Sequence, residues 1–187
     1  MVELDFGGIK ETVITRNEFP VDKARKILKN ETIAILGYGI QGRAQSLNMR
    51  DNGINVIIGQ SKKFPKNYEM AIKDGWIPGK TLFPLKEAAE RGTIKQYLLT
   101  DAAQKELWPV IKPTFKEGDA LYFSHGFSIV YRKLTGIVPP QNIDVIMVAP
   151  KGSGTSVRNN FLAGSGINSS YAVHQDFTGE AENRVKA

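Results

Sequence analysis

Apolar residues fall along this chain in short runs, separated by stretches in which they recur every three or four positions. Ile33, Ala34, Ile35 and Leu36 form an unbroken run, which predicts a strand buried on both faces. Similar reasoning places strands at 54–59, 96–100, 120–124, 144–149 and 171–174, with a short one at 11–15 in an otherwise irregular arm. Helical spacing covers 20–29, where Pro20 suits a first turn and Val21, Ala24, Ile27 and Leu28 share a face. It also covers 43–50, 67–74, 85–91 and 102–111, and a last helix begins at 180. Residues 157–162 are apolar and basic by turns and receive no element. Strands alternating with helices predict an α/β class: a Rossmann-like, doubly wound, mostly parallel sheet with helices on both faces.

The first strand runs directly into Gly37-x-Gly39-x-x-Gly42, and a helix follows. Strand, glycine turn and helix in that order are the context a dinucleotide-binding fingerprint requires. Gly37 permits the tight turn, Gly39 lets a pyrophosphate approach the backbone, and Gly42 lets the helix pack on the sheet. Unpaired N–H groups and the positive end of the helix dipole then attract phosphate.

The end of the second strand bears on which dinucleotide binds. NAD selectivity usually places a carboxylate there to bind the ribose 2′-OH. This chain has Gly59-Gln60-Ser61-Lys62-Lys63, a hydroxyl and two ammonium groups suited to a 2′-phosphate. NADP is therefore the favoured cofactor, with solvated loop lysines as the alternative for Lys62 and Lys63. Asp101 reads either as a helix N-cap and nothing more or as part of the crevice wall, and Gln104 is placed to reach a cofactor. His125 follows a strand at its carboxyl end, where ligands bind in such sheets. Residues 150–156 form a loop rich in N–H and hydroxyl groups over the same crevice.

Composition narrows the rest. The chain has 187 residues, no cysteine and 41% hydrophobic residues. That suits one domain with an ample core, without disulfides, a thiolate metal site or a cysteine nucleophile. No apolar stretch has the length of a membrane span. The N-terminus lacks the basic start and apolar core of a signal peptide, and Glu3 and Asp5 argue against a transit peptide. Cytoplasmic location is the expectation. The net charge is +6, but the basic residues are dispersed, so an anionic small ligand is favoured over nucleic acid.

Several separate motifs resemble ketol-acid reductoisomerase, the acetohydroxyacid isomeroreductase of valine and isoleucine biosynthesis. They are Gly37-Tyr-Gly-Ile-Gln-Gly42, Asn48-Met-Arg-Asp-Asn-Gly53, Ser124-His-Gly-Phe-Ser-Ile129, the stretch from Asp144 through Pro150-Lys-Gly-Ser-Gly154, and residues 168–173. The resemblance implies an oxidoreductase that uses NADPH and Mg²⁺. A metal-assisted alkyl shift in 2-acetolactate or 2-aceto-2-hydroxybutyrate precedes reduction to the 2,3-dihydroxy acid. It implies that Tyr38, Gly39, Ile40 and Gln41 meet the pyrophosphate and that Ser61 and its neighbours meet the 2′-phosphate. It further implies that Asp101 to Gln104 line the nicotinamide side, that His125 is the active-site histidine and that Gly154 touches the cofactor.

The family's metal ligands lie in a C-terminal, all-helical knotted domain, and Asp176, Glu180 and Glu182 do not match them. The expected organisation is an arm and helix over 1–30, an NADP-binding Rossmann domain over 31–176, and the start of a truncated helical domain over 177–187. Such a chain is expected to bind NADPH, to lack metal ligands and to be inactive alone. It should expose an apolar patch near 157–173 and associate readily. The full-length form is expected to act on a small 2-hydroxy-3-keto acid as a homo-oligomer, without nucleic acid or membrane. The alternative is a stand-alone NADP-binding sensor or partner module without catalysis.

Overall fold

The computed structural model describes residues 2–187. An antiparallel hairpin, β1 (Val2–Asp5) and β2 (Lys10–Val13), leads to helix α1 (Val21–Ile27). The hairpin exposes Val2, Leu4, Phe6 and Ile9. Strand β3 (Ile33–Leu36) then enters helix α2 (Ile40–Asp51), and β4 (Val56–Gly59) is followed by α3 (Pro65–Lys73). Next come β5 (Leu82–Phe83), α4 (Leu85–Arg91), β6 (Ile94–Tyr97), α5 (Asp101–Ile111) and β7 (Ala120–Phe123). Two single-turn helices, α6 (Phe127–Val130) and α7 (Arg132–Thr135), precede β8 (Asp144–Pro150). Helix α8 (Gly154–Leu162), strand β9 (Ser169–Gln175) and helix α9 (Ala181–Lys186) complete the described chain.

The main sheet has seven strands in the order β5-β4-β3-β6-β7-β8-β9. Every pairing is parallel except β8 with β9. Strand order reverses beside β3, whose neighbours are β4 and β6, so a crevice opens at their carboxyl ends. Because successive strand residues face opposite ways, the buried apolar side chains divide between the two faces. Ile33, Ile35, Ile58, Ile94, Tyr122 and Ile146 pack with Leu47 of α2 and Ala181 and Val185 of α9. Ala34, Leu36, Tyr97, Leu121 and Phe123 pack with Ala88 and Ala89 of α4 and Trp108 and Ile111 of α5. Helices thus cover both faces. Among the described residues, no helix is long and apolar enough to cross a membrane.

Strand β1, the short β5 and the single turns α6 and α7 are not expected from the sequence pattern, and further differences arise at β6 and α8. Strand β6 starts at Ile94, two residues early, because Lys95 is fully buried. Its ammonium pairs with Asp119 and donates to the Gly92 carbonyl at 2.9 Å. Burial still lowers the Lys95 pKa despite that pair. Residues 154–162 form α8, whose N-cap Ser153 accepts a hydrogen bond from Ser156 N. The cap is a strong helix start, but it lies in a Gly-Ser-Gly stretch that reads as loop.

Residues 177–187 are expected to start a second, helical domain; their helix α9 packs onto this sheet. Arg184 bonds Glu31 at 2.7 Å, Asp144 at 2.8 Å and the Gly118 carbonyl at 2.8 Å. Asp144, fully buried, also accepts from Phe177 N and Thr178 N.

The exposed apolar residues foreseen near 157–173 are present as Leu162, Tyr171 and Val173. A second set, Val130, Tyr131, Leu134 and Val138, surrounds α6 and α7 and was not anticipated.

Candidate nucleotide-binding site

The site is built on the turn between β3 and α2. Gly37 has φ +103°, a left-handed conformation that disfavours any side chain. A Cβ there would also lie 2.9 Å from the Leu98 carbonyl oxygen. A Cβ at Gly42 would collide with the Gly37 carbonyl and stand 3.2 Å from Ile35 Cγ2. These two glycines fix how closely helix and strand approach. Gly39 differs: no atom lies within 4 Å of where its Cβ would be. The backbone is open there, and α2 starts at the next residue with its first N–H groups lacking intrahelical partners. This is a cradle that a side chain would fill and that a pyrophosphate fits. Ile40, in the first turn of α2, is 67% exposed and free to lie against a ligand.

Tyr38 does not face the cradle. Its ring is buried, and its hydroxyl donates to Asp74 Oδ2 at 2.8 Å while accepting from Trp76 Nε1 at 2.8 Å. Its N–H is taken by Gln60 Oε1 at 2.8 Å. The expected pyrophosphate contact from Tyr38 is therefore replaced by an anchoring role. Arg43 completes the anchor with two bonds to the Asp74 carboxylate at 2.6 and 2.9 Å. Burial alone would raise the Asp74 pKa, but the bonds from Arg43 and Tyr38 outweigh it and hold the carboxyl below its usual range. Burial, and then the bond to Asp74, push the Tyr38 phenol well up.

The stretch expected to meet the 2′-phosphate lies at the tip of β4. Gln60 is buried; besides holding Tyr38 N, it donates to the Ser61 carbonyl at 3.3 Å. Ser61 Oγ accepts from Lys63 N at 3.2 Å, and Lys62 and Lys63 are exposed. Lys62 Nζ stands 5.6 Å from the Tyr68 ring centroid. No carboxylate occurs in the 59–63 stretch.

At the other end, α5 begins beside the tip of β6. Its N-cap is Thr100, whose hydroxyl accepts from Ala103 N at 3.4 Å, so Asp101 is the first helical residue rather than the cap. Gln104 is 2% exposed. Its amide donates to the Tyr97 and Leu99 carbonyls at 3.1 and 3.0 Å and accepts from Ser128 Oγ at 2.6 Å. Gln104 thus shapes the crevice wall from behind rather than reaching into the crevice. His125, just past β7, is about half exposed, with Nε2 3.6 Å from Asp101 Oδ1.

The loop after β8 closes the third side. Gln41 Nε2 donates to the Gly152 carbonyl at 3.0 Å, tying this loop to α2. Gly154 is buried, and a Cβ on it would collide with the Ile40 carbonyl. Its lack of a side chain serves the approach of α8 to α2. The anchoring set of Gln60, Asp74, Trp76 and Arg43 was missed in the sequence. The one signal for it was polar residues directly bounding apolar runs.

Residues 27–187 match the family model described as "Acetohydroxy acid isomeroreductase, NADPH-binding domain". A protein of Desulfosudis oleivorans named "Ketol-acid reductoisomerase (NAD(+))" is 62% identical over 187 residues, covering 100% of this chain and 53% of that protein. "Ketol-acid reductoisomerase, mitochondrial" of Neurospora crassa is 54% identical over 98% of this chain and 46% of its own. This chain therefore spans about half the length of the curated relatives it matches. Among solved structures, an NADH-preferring ketol-acid reductoisomerase from an uncultured archaean superposes with a TM-score of 0.79. It has 42% identity over 85% of this chain and 47% of that one.

Proposed function

This chain belongs to the acetohydroxy acid isomeroreductase family through its NADPH-binding domain, and from that premise we propose that it binds NADPH for the reductive half of a ketol-acid reductoisomerase reaction. The observation that carries this reading is the open backbone at Gly39 between two glycines that admit no side chain. Gly39, Ile40 and Gln41 receive the pyrophosphate, and Ser61, Lys62 and Lys63 meet the 2′-phosphate. Asp101 and His125 stand where the nicotinamide and the ketone meet. The cofactor supplies hydride; His125 serves as the proton-exchanging group at the substrate oxygen. The substrate class is a small 2-hydroxy-3-keto acid, and valine and isoleucine biosynthesis is the pathway implied.

Among the described residues, no group of three or more His, Asp or Glu stands where it would hold a metal ion. These residues do not fit Mg²⁺, and the alkyl migration is not assigned to them. A second reading, use of NADH, is favoured by the likeness to the Desulfosudis relative named for NAD(+) and to the NADH-preferring archaeal structure.

Calorimetric titration with each cofactor separates these readings. NADPH binding at least about tenfold tighter than NADH, or about 1.4 kcal/mol, is expected. Equal affinities would remove the 2′-phosphate site and retain the cradle. No binding of either would refute the reading for this chain.

A further inference from the structure

Asp101 carries a feature that neither capping nor cofactor contact explains. Its Oδ1 is shielded from solvent and has no hydrogen-bond partner among the described residues, although the side chain as a whole is about half exposed. A shielded, unpartnered carboxylate oxygen is costly. The usual employment of such a residue is closed, because Thr100 already caps α5. His125 Nε2 stands 3.6 Å from this oxygen. The two residues come from the carboxyl ends of adjacent parallel strands, β6 and β7, so their proximity is set by the sheet. The separation is just beyond hydrogen-bond length, and catalytic pairs often tighten only when ligand is bound.

We infer that Asp101 is a positioning residue for His125: its Oδ1 takes the Nε2–H, which leaves Nδ1 as the lone pair that exchanges a proton with the substrate oxygen. When Nδ1 gains that proton, the imidazolium sits beside a carboxylate that balances its charge; when it gives the proton up, the same tautomer returns. A carboxylate that orients and balances a histidine in this way is a general device. The assignment of substrate as the proton's destination rests on the function proposed above; the pairing itself does not.

The chain has only two histidines, so ¹⁵N-histidine NMR reads the pair directly, with His174→Gln to assign the signals. At a pH where the ring is neutral, His125 is expected to hold the Nε2–H form with the Nδ1–H form near the detection limit. Asp101→Ala is expected to raise the Nδ1–H population several-fold, and Asp101→Glu to restore the original ratio. Should Asp101→Ala fail to fold, Asp101→Asn removes the charge at constant shape and should give a smaller rise in the same direction. An unchanged tautomer ratio in the folded variants overturns the inference, whatever the cofactor titration gives. A fixed tautomer in a chain that binds neither cofactor upholds the pair and sinks the proposed function instead.

Discussion

At the scale of single residues, the three fingerprint glycines have separable duties, and substitution should separate them. Gly39 has φ −80° with open space beyond it. Gly39→Ala should therefore cost no more than about 1 kcal/mol of stability, while NADPH affinity falls at least about tenfold. Gly42→Ala forces a methyl against the Gly37 carbonyl and should cost roughly 1–3 kcal/mol. Thermal melts paired with the titration test both. Asp74 gives a pH signature. Its folded pKa lies below the ordinary value, so its stabilisation is complete above the unfolded value of about 3.9. That stabilisation is lost as pH falls through the folded value. Asp74→Asn should flatten this acid limb in urea melts and cost about 1–3 kcal/mol at neutral pH. The glycine spacing was legible because sterics act locally. Gln60 and Asp74 were not, because their roles depend on Tyr38, which lies 22 and 36 positions away in sequence.

At the scale of elements, local pattern sufficed where one element settles its own burial. Strand β3 and helix α4 have the bounds the hydrophobic pattern gives them. It failed where a distant partner decides. Lys95 breaks the apolar run of β6, and its burial depends on the distant Asp119, which pairs its ammonium. Helix α8 declares itself through Ser153 and through its fit against α2, where Asn48 Oδ1 accepts from Arg158 at 2.8 Å. Gly154→Ala should push α8 from the start of α2. It should lower stability by roughly 1–3 kcal/mol and weaken cofactor binding as well, because Ile40 would shift. A stability loss with unchanged affinity would show that the α2 start is held independently of α8.

At the scale of the whole molecule, three buried tyrosines set the alkaline limit. Burial pushes Tyr38, Tyr97 and Tyr122 up, the last to about 12. The unfolded chain releases these protons near pH 10, so the folded state binds more protons above that pH and its stability falls as pH rises. Phenolate absorbance from these rings should therefore appear together with the loss of near-ultraviolet dichroism, not before it. The sheet order has a metric consequence as well. Ser61 follows β4 and His125 follows β7, and β3 and β6 lie between them. Three strand spacings of about 4.8 Å make a ruler of roughly 14 Å. If the proposed function holds, only an extended dinucleotide spans it, and a mononucleotide carrying a 2′-phosphate should grip the β4 end and leave the histidine untouched.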